Sequence, residues 1–143
     1  MKIVGVFICV LLCFSCKEQH KPVNSMPEKS SFQLYSMSEM ALLMEQLYVD
    51  NMRIKDAILS DANIADSLPS HYLNLSTAVL TDPTDRDLFF DKQMTEFIKA
   101  QRLVYEVETN RKENFNAMVQ SCISCHQVKC GGPIERIKKL LIP

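Results

Sequence analysis

Five consecutive residues near the C-terminus, Cys122-Ile123-Ser124-Cys125-His126, carry the most specific chemistry in the chain. Two thiols three positions apart, followed at once by an imidazole, make the spacing C-x-x-C-H at which a c-type haem is attached. Each thiol adds to one haem vinyl group, and the histidine becomes the proximal ligand of the iron. Cys122 and His126 are one helical turn apart, so a helix here sets both thiols and the ring on one face. Phe115, Met118, Val119 and Cys122 recur with helical period, which predicts that helix. The expected cofactor is therefore one haem c, held by Cys122 and Cys125 as thioethers and by His126 on the iron.

Two other chemistries use the same residues. A thioredoxin-like redox dithiol needs a strand-to-helix context, and the surrounding sequence has none. Cys130 adds a third thiol, so Cys122, Cys125, His126 and Cys130 could form a Cys₃His zinc site that stabilises an interaction domain. Structural zinc sites usually draw ligands from two separate elements, whereas these four lie within nine consecutive residues. Covalent haem leads, and zinc stays open as the alternative. Nothing else reads as catalytic: there is no nucleophile elbow, phosphate-binding glycine loop or second histidine cluster. Asp82, Asp85 and Asp87 read as helix caps. The chain is expected to be a carrier and not an enzyme.

The elements that must position the motif follow an export signal. Met1-Lys2 precedes an apolar run over residues 3–12, too short to span a bilayer. It ends at Cys13-Phe14-Ser15-Cys16, with polar residues after it. This resembles a bacterial lipobox, although Cys13 stands where leucine is usual; the resemblance implies a signal peptide over residues 1–15 and lipidation of Cys16. An ordinary cleaved signal is the alternative. Both place the mature chain in the bacterial cell envelope, facing the periplasm or at the outer membrane. Residues 16–35, with Pro22, Pro27, several serines and His20, read as a flexible tether in which His20 is solvated.

Residues 36–143 are expected to form one haem domain. Its 16 basic and 17 acidic residues over the whole chain leave no basic excess, so nucleic acid is not an expected partner. Glycine is absent from residues 17–130, and alternating strands are missing, which predicts an all-α fold. Four helices are read. The first covers about residues 36–60, with Ser36 and Glu39 as a capping box and Met37, Met40, Ala41, Met44, Leu47, Tyr48, Ile54 and Ile58 facing inward. A weaker second runs through Tyr72, Leu73, Leu75 and Val79 to Pro83. The third spans about residues 84–108 with Leu88, Phe89, Phe90, Met94, Phe97, Ile98, Val104 and Tyr105 as its face. The last runs from near Lys112 to the stop at Cys130-Gly131-Gly132-Pro133. Short connections imply an antiparallel four-helix bundle.

In such a bundle the first helix begins beside the end of the fourth. The inward positions facing the haem-bearing turns are then Met40, Met44 and Leu47. A thioether opposite a histidine closes the sixth position and raises the reduction potential. Met44 is the expected distal ligand and Met40 the second choice; core filling is the competing role of both. His71, at the start of the second helix, falls at the far end and is not expected on the iron.

A C-x-x-C-H on the last of four helices, with a methionine-rich first helix, resembles the cytochrome c-prime family and its six-coordinate relatives, over about residues 36–130. That resemblance implies two functions. With a distal methionine the iron is low-spin and passes single electrons to redox partner proteins. Without one it is five-coordinate and binds nitric oxide or carbon monoxide. The basic residue that many members place after the histidine, to meet a haem propionate, is matched here only by Lys129. The tail after Cys130 extends past the family's usual end; Ile134, Ile137, Leu140 and Leu141 alternate with Arg136, Lys138 and Lys139, so it is expected to fold back over the haem edge with its charges exposed. Cys130 itself is left without a partner: it can pair two chains into a homodimer, act as a redox or metal ligand, or stay buried, and burial is the default expectation.

Overall fold

Ser38 starts the first helix. Its backbone is extended, at φ −65° and ψ 161°, and its hydroxyl accepts a hydrogen bond from Ala41 N at 3.1 Å, so one open amide of the first turn is satisfied. The cap of helix α1 (Glu39–Leu59) is therefore two residues after the predicted one at Ser36. Glu39, instead of closing a capping box, accepts from Val79 N at 2.9 Å. These features come from a computed structural model that describes residues 36–65 and 67–143. The expected signal peptide, the tether and Cys16 lie outside the described residues.

Helix α1 ends on a residue with a left-handed backbone. Asp61 has φ 53°, Ala62 N donates to Ala57 O at 2.9 Å and Asp61 N to Ile58 O at 3.4 Å. This is the paired bonding that closes helix ends when the next residue turns left-handed.

The predicted second helix is a short 3₁₀ segment, Ser70–Ser76. Pro69 precedes it, and the Ser76 and Thr77 hydroxyls bond back to Leu73 and Asn74 carbonyls, competing with an α-helical ladder. A 3₁₀ turn repeats every three residues. Accordingly Tyr72, Leu75 and Ala78 are the buried ones, at 0, 0 and 1 % exposure. The expected inward residues Leu73 and Val79 point to solvent. Met40 N donates to Val79 O at 3.0 Å, and the Arg86 guanidinium donates to the Ser76 and Ala78 carbonyls. The segment is thus pinned across the start of α1.

A one-turn 3₁₀ helix, Pro83–Asp85, leads into α2 (Leu88–Glu106), whose cap Asp87 accepts from Phe90 N at 2.8 Å. Phe90, Met94, Phe97, Gln101, Val104 and Tyr105 form its buried face, while Leu88, expected inside, is 88 % exposed. A tight turn through Asn110 (φ 56°) reverses the chain into α3 (Arg111–Val128). The two form a hairpin, because Lys129 at the end of α3 reaches Asp87 at the start of α2, 2.6 Å away, and Asp85 at 3.4 Å.

The tail folds back. Short helix α4 (Ile134–Ile137) and a 3₁₀ turn, Lys138–Leu140, bury Ile137, Leu140 and Ile142 in the core. Lys55 Nζ holds the tail from α1 through the carbonyls of Lys139 and Leu141, at 2.8 and 2.9 Å. Asn116 on α3 pairs with the Ile142 backbone in both directions, at 2.8 and 2.9 Å. The described residues are helical and contain no strand, so the domain is all-α. Three long helices, one 3₁₀ segment and the docked tail stand where four helices were expected.

Candidate functional site

Cys122, Cys125 and His126 lie in the last two turns of α3, on the side that faces α1 and α2. Phe115, Met118, Val119 and Ile123 bury the same helix in the core, which fixes its rotation. Three cavities surround the motif, of about 240, 80 and 40 Å³, and Met44 and His126 line all of them. The smallest also carries Cys122, Cys125, Met94 and Phe97. The largest carries Met37, Met40, Met94 and Cys125 beside Lys129 and Cys130. The walls are dominated by sulfur and hydrocarbon.

His126 has a defined hydrogen bond. Its Nδ1 lies 2.8 Å from the Cys130 carbonyl oxygen. A carbonyl only accepts, so Nδ1 carries the hydrogen and donates. Nε2 has no hydrogen-bond partner among the described residues, and the ring is held from behind, the arrangement in which the neutral imidazole presents Nε2 as a ligand atom.

The two motif cysteines are thiols. Burial, and then the neighbouring Cys125, push the Cys122 thiol up to about 12. Burial also raises the Cys125 thiol. A redox dithiol works through a thiolate, and the burial of both groups works against one. Among the described residues no group of three His, Cys, Asp or Glu side chains is arranged to hold a metal ion. Cys130 sits at the helix stop and is exposed, which corrects the expectation of burial. It is one residue past the α3 cap, Lys129, where the chain leaves the packed face toward Gly131.

The structure brings Met44 to the motif along with Met40, but Met40 reaches only the largest cavity. Sequence reasoning missed Met94 from α2 as a neighbour of the motif; the tail, expected to fold back there, supplies Pro133, Arg136, Ile137 and Leu140, which line the 80 Å³ cavity with His126. Met94 is the seventh residue of α2, as Met44 is the sixth of α1, but no signal within either helix gives their relative depth.

The nearby charges are paired. Lys129 is bonded to Asp87 and Asp85; that contact to Lys129, then the Phe90 amide, lowers the Asp87 carboxyl. Arg136 stacks over the Tyr48 ring at 3.9 Å and bonds Glu45 at 2.6 Å, which lowers the Glu45 carboxyl. His71 lies elsewhere, lining a separate cavity 3.6 Å from Asp50. Among the described residues no helix is long and apolar enough to cross a membrane. No protein-family model, characterised protein or solved structure matches the chain.

Proposed function

We propose that this chain is a mono-haem c-type cytochrome that carries single electrons in the bacterial envelope, tethered to the membrane through lipid on Cys16. The observation that carries this reading is the His126 ring. Its Nδ1 is tied to the Cys130 carbonyl at 2.8 Å, and its other nitrogen, with no hydrogen-bond partner among the described residues, stands beside two thiols and two thioethers in an apolar cavity. The donor set fits haem c: Cys122 and Cys125 would hold it as thioethers, and His126 Nε2 and Met44, with Met40 as second choice, would ligate the iron. Bound haem supplies a ferric/ferrous couple.

The chain's own residues do the rest. Leu47, Phe97, Ile137 and Leu140 exclude water from the cavity walls. The Cys130 carbonyl holds the imidazole in one tautomer and orientation, so the proximal ligand is preorganised. The fold is read as a variant of the antiparallel four-helix bundle of the cytochrome c-prime class, with the 3₁₀ segment as its shortened second member. Partners are redox proteins of the envelope, not nucleic acid, and a homodimer is the oligomer to look for.

The test is the optical spectrum of the purified envelope protein, oxidised and reduced, with and without carbon monoxide. A low-spin ferric spectrum unchanged by carbon monoxide is expected. A high-spin spectrum that shifts with carbon monoxide would replace electron transfer by gas binding. Absence of haem stain on a denaturing gel would end the haem reading altogether.

A further inference from the structure

A hydrogen bond fixes the register between α1 and α2: Gln101 Nε2 donates to Asn51 Oδ1 at 3.1 Å, and both residues are buried. Asn51 is the thirteenth residue of α1 and Gln101 the fourteenth of α2, and Met44 and Met94 also share two cavities, so the two helices run in the same direction at matched depth. Seven residues toward each N-terminus stand Met44 and Met94. Seven residues make two turns, about 10 Å, and return a side chain to within about 20° of the same face. Met44 and Met94 therefore face each other across the bundle as Asn51 and Gln101 do, two turns nearer the motif. The cavities agree, since both methionines line the 40 Å³ and the 240 Å³ spaces together with Cys125 and His126. Met94 is 5 % exposed. Met40, one turn further from the pair, shares only the larger space.

We infer that Met94 is a second distal thioether, poised to close the sixth position of the iron when Met44 is lost. This rests on the haem reading above. It differs from a packing role in one respect. A methionine that only fills the core leaves the iron open once Met44 is gone, whereas a poised thioether moves in, and its unbranched side chain has the freedom to do so.

The experiment uses the full-length holoprotein and three variants, Met44→Leu, Met94→Leu and the double substitution; leucine keeps the core volume. All four proteins should retain covalent haem on a denaturing gel. Both single variants should stay low-spin and indifferent to carbon monoxide, and the double variant should become high-spin and bind it. In reduced Met44→Leu, one upfield-shifted methionine methyl resonance should persist, and it should vanish in the double variant. A high-spin Met44→Leu protein would overturn the inference without any core substitution at Met94. A low-spin double variant would overturn it by placing the ligand elsewhere. If the unaltered protein carries no covalent haem, the reading beneath fails first and this inference with it.

Discussion

The two histidines of the domain sit in opposite chemical settings on either side of the Asn51–Gln101 pair. Toward the start of α1, His126 has one nitrogen tied to a carbonyl and the other free among Met44, Met94, Cys122 and Cys125. Toward its end, His71 stands 3.6 Å from Asp50 and edge-on to Tyr72. Asp50 is bonded to three other groups: Oδ1 accepts from Gln46 at 2.9 Å and Arg53 at 3.2 Å, and Oδ2 from the Tyr72 hydroxyl at 2.7 Å. Each ring keeps one nitrogen without a hydrogen-bond partner among the described residues, and the surroundings differ: His71 Nε2 is buried beside a carboxylate bonded to other groups, whereas His126 stands among soft sulfur donors, the set that a soft-metal binding site uses.

The contrast can be broken most completely at the sulfur end. Replacing Cys122 and Cys125 together with alanine should abolish haem stain on a denaturing gel, an all-or-none effect, while Tyr72→Phe should leave the stain and the optical spectrum unchanged. At the polar end Tyr72→Phe removes a hydrogen bond to a charged acceptor and should cost about 1.5–3 kcal/mol, read as a lower urea midpoint. The boundary pair gives a smaller, signed effect. Gln101→Leu alone leaves the Asn51 carbonyl oxygen unpaired and should cost about 1–3 kcal/mol, whereas Asn51→Leu with Gln101→Leu should come near neutral. A double variant as damaging as the single one would show that the pair does more than set register.

Two pH effects are smaller still. Burial, then the bond to Asp50, hold the Tyr72 phenol far above its ordinary value. The folded chain keeps a proton that the unfolded chain releases, so this contribution is intact below about pH 10 and declines as pH rises further. Urea midpoints across that range should fall, and Tyr72→Phe should flatten the fall. The Asp87 carboxyl is lowered by Lys129, then by the Phe90 amide. Its contribution is present above the ordinary carboxylate range and lost as pH drops through the lowered value. Lys129→Ala should weaken that acid dependence slightly, since both groups face solvent.

Helical content and the position of α3 were legible because they rest on local spacing. Phe115, Met118 and Val119 recur with helical period and are buried. The second segment was misread because Tyr72, Leu73, Leu75 and Val79 fit a 3.6 repeat loosely, while the buried set Tyr72, Leu75 and Ala78 follows a period of three. Leu88 was placed inside by its hydrophobicity alone, but it is the first residue of α2, before the helix meets the core. Met94 was legible as a buried residue and illegible as a neighbour of His126, because no pattern within α2 encodes its depth against α1.

By itself the sequence determined the chemistry on offer: two thiols and an imidazole at one-turn spacing, a stop of two glycines and a proline behind them, and an all-α chain to carry them. These are properties of contiguous residues, and covalent spacing with helical pitch is enough to specify them. Only the tertiary structure decided which methionines share a cavity with His126, that Cys130 turns outward while its carbonyl holds the ring, and that the tail closes the wall. Those outcomes depend on the relative depth and rotation of α1, α2 and α3. Packing across the whole core and the single buried Asn51–Gln101 bond set that arrangement, and no local pattern records it.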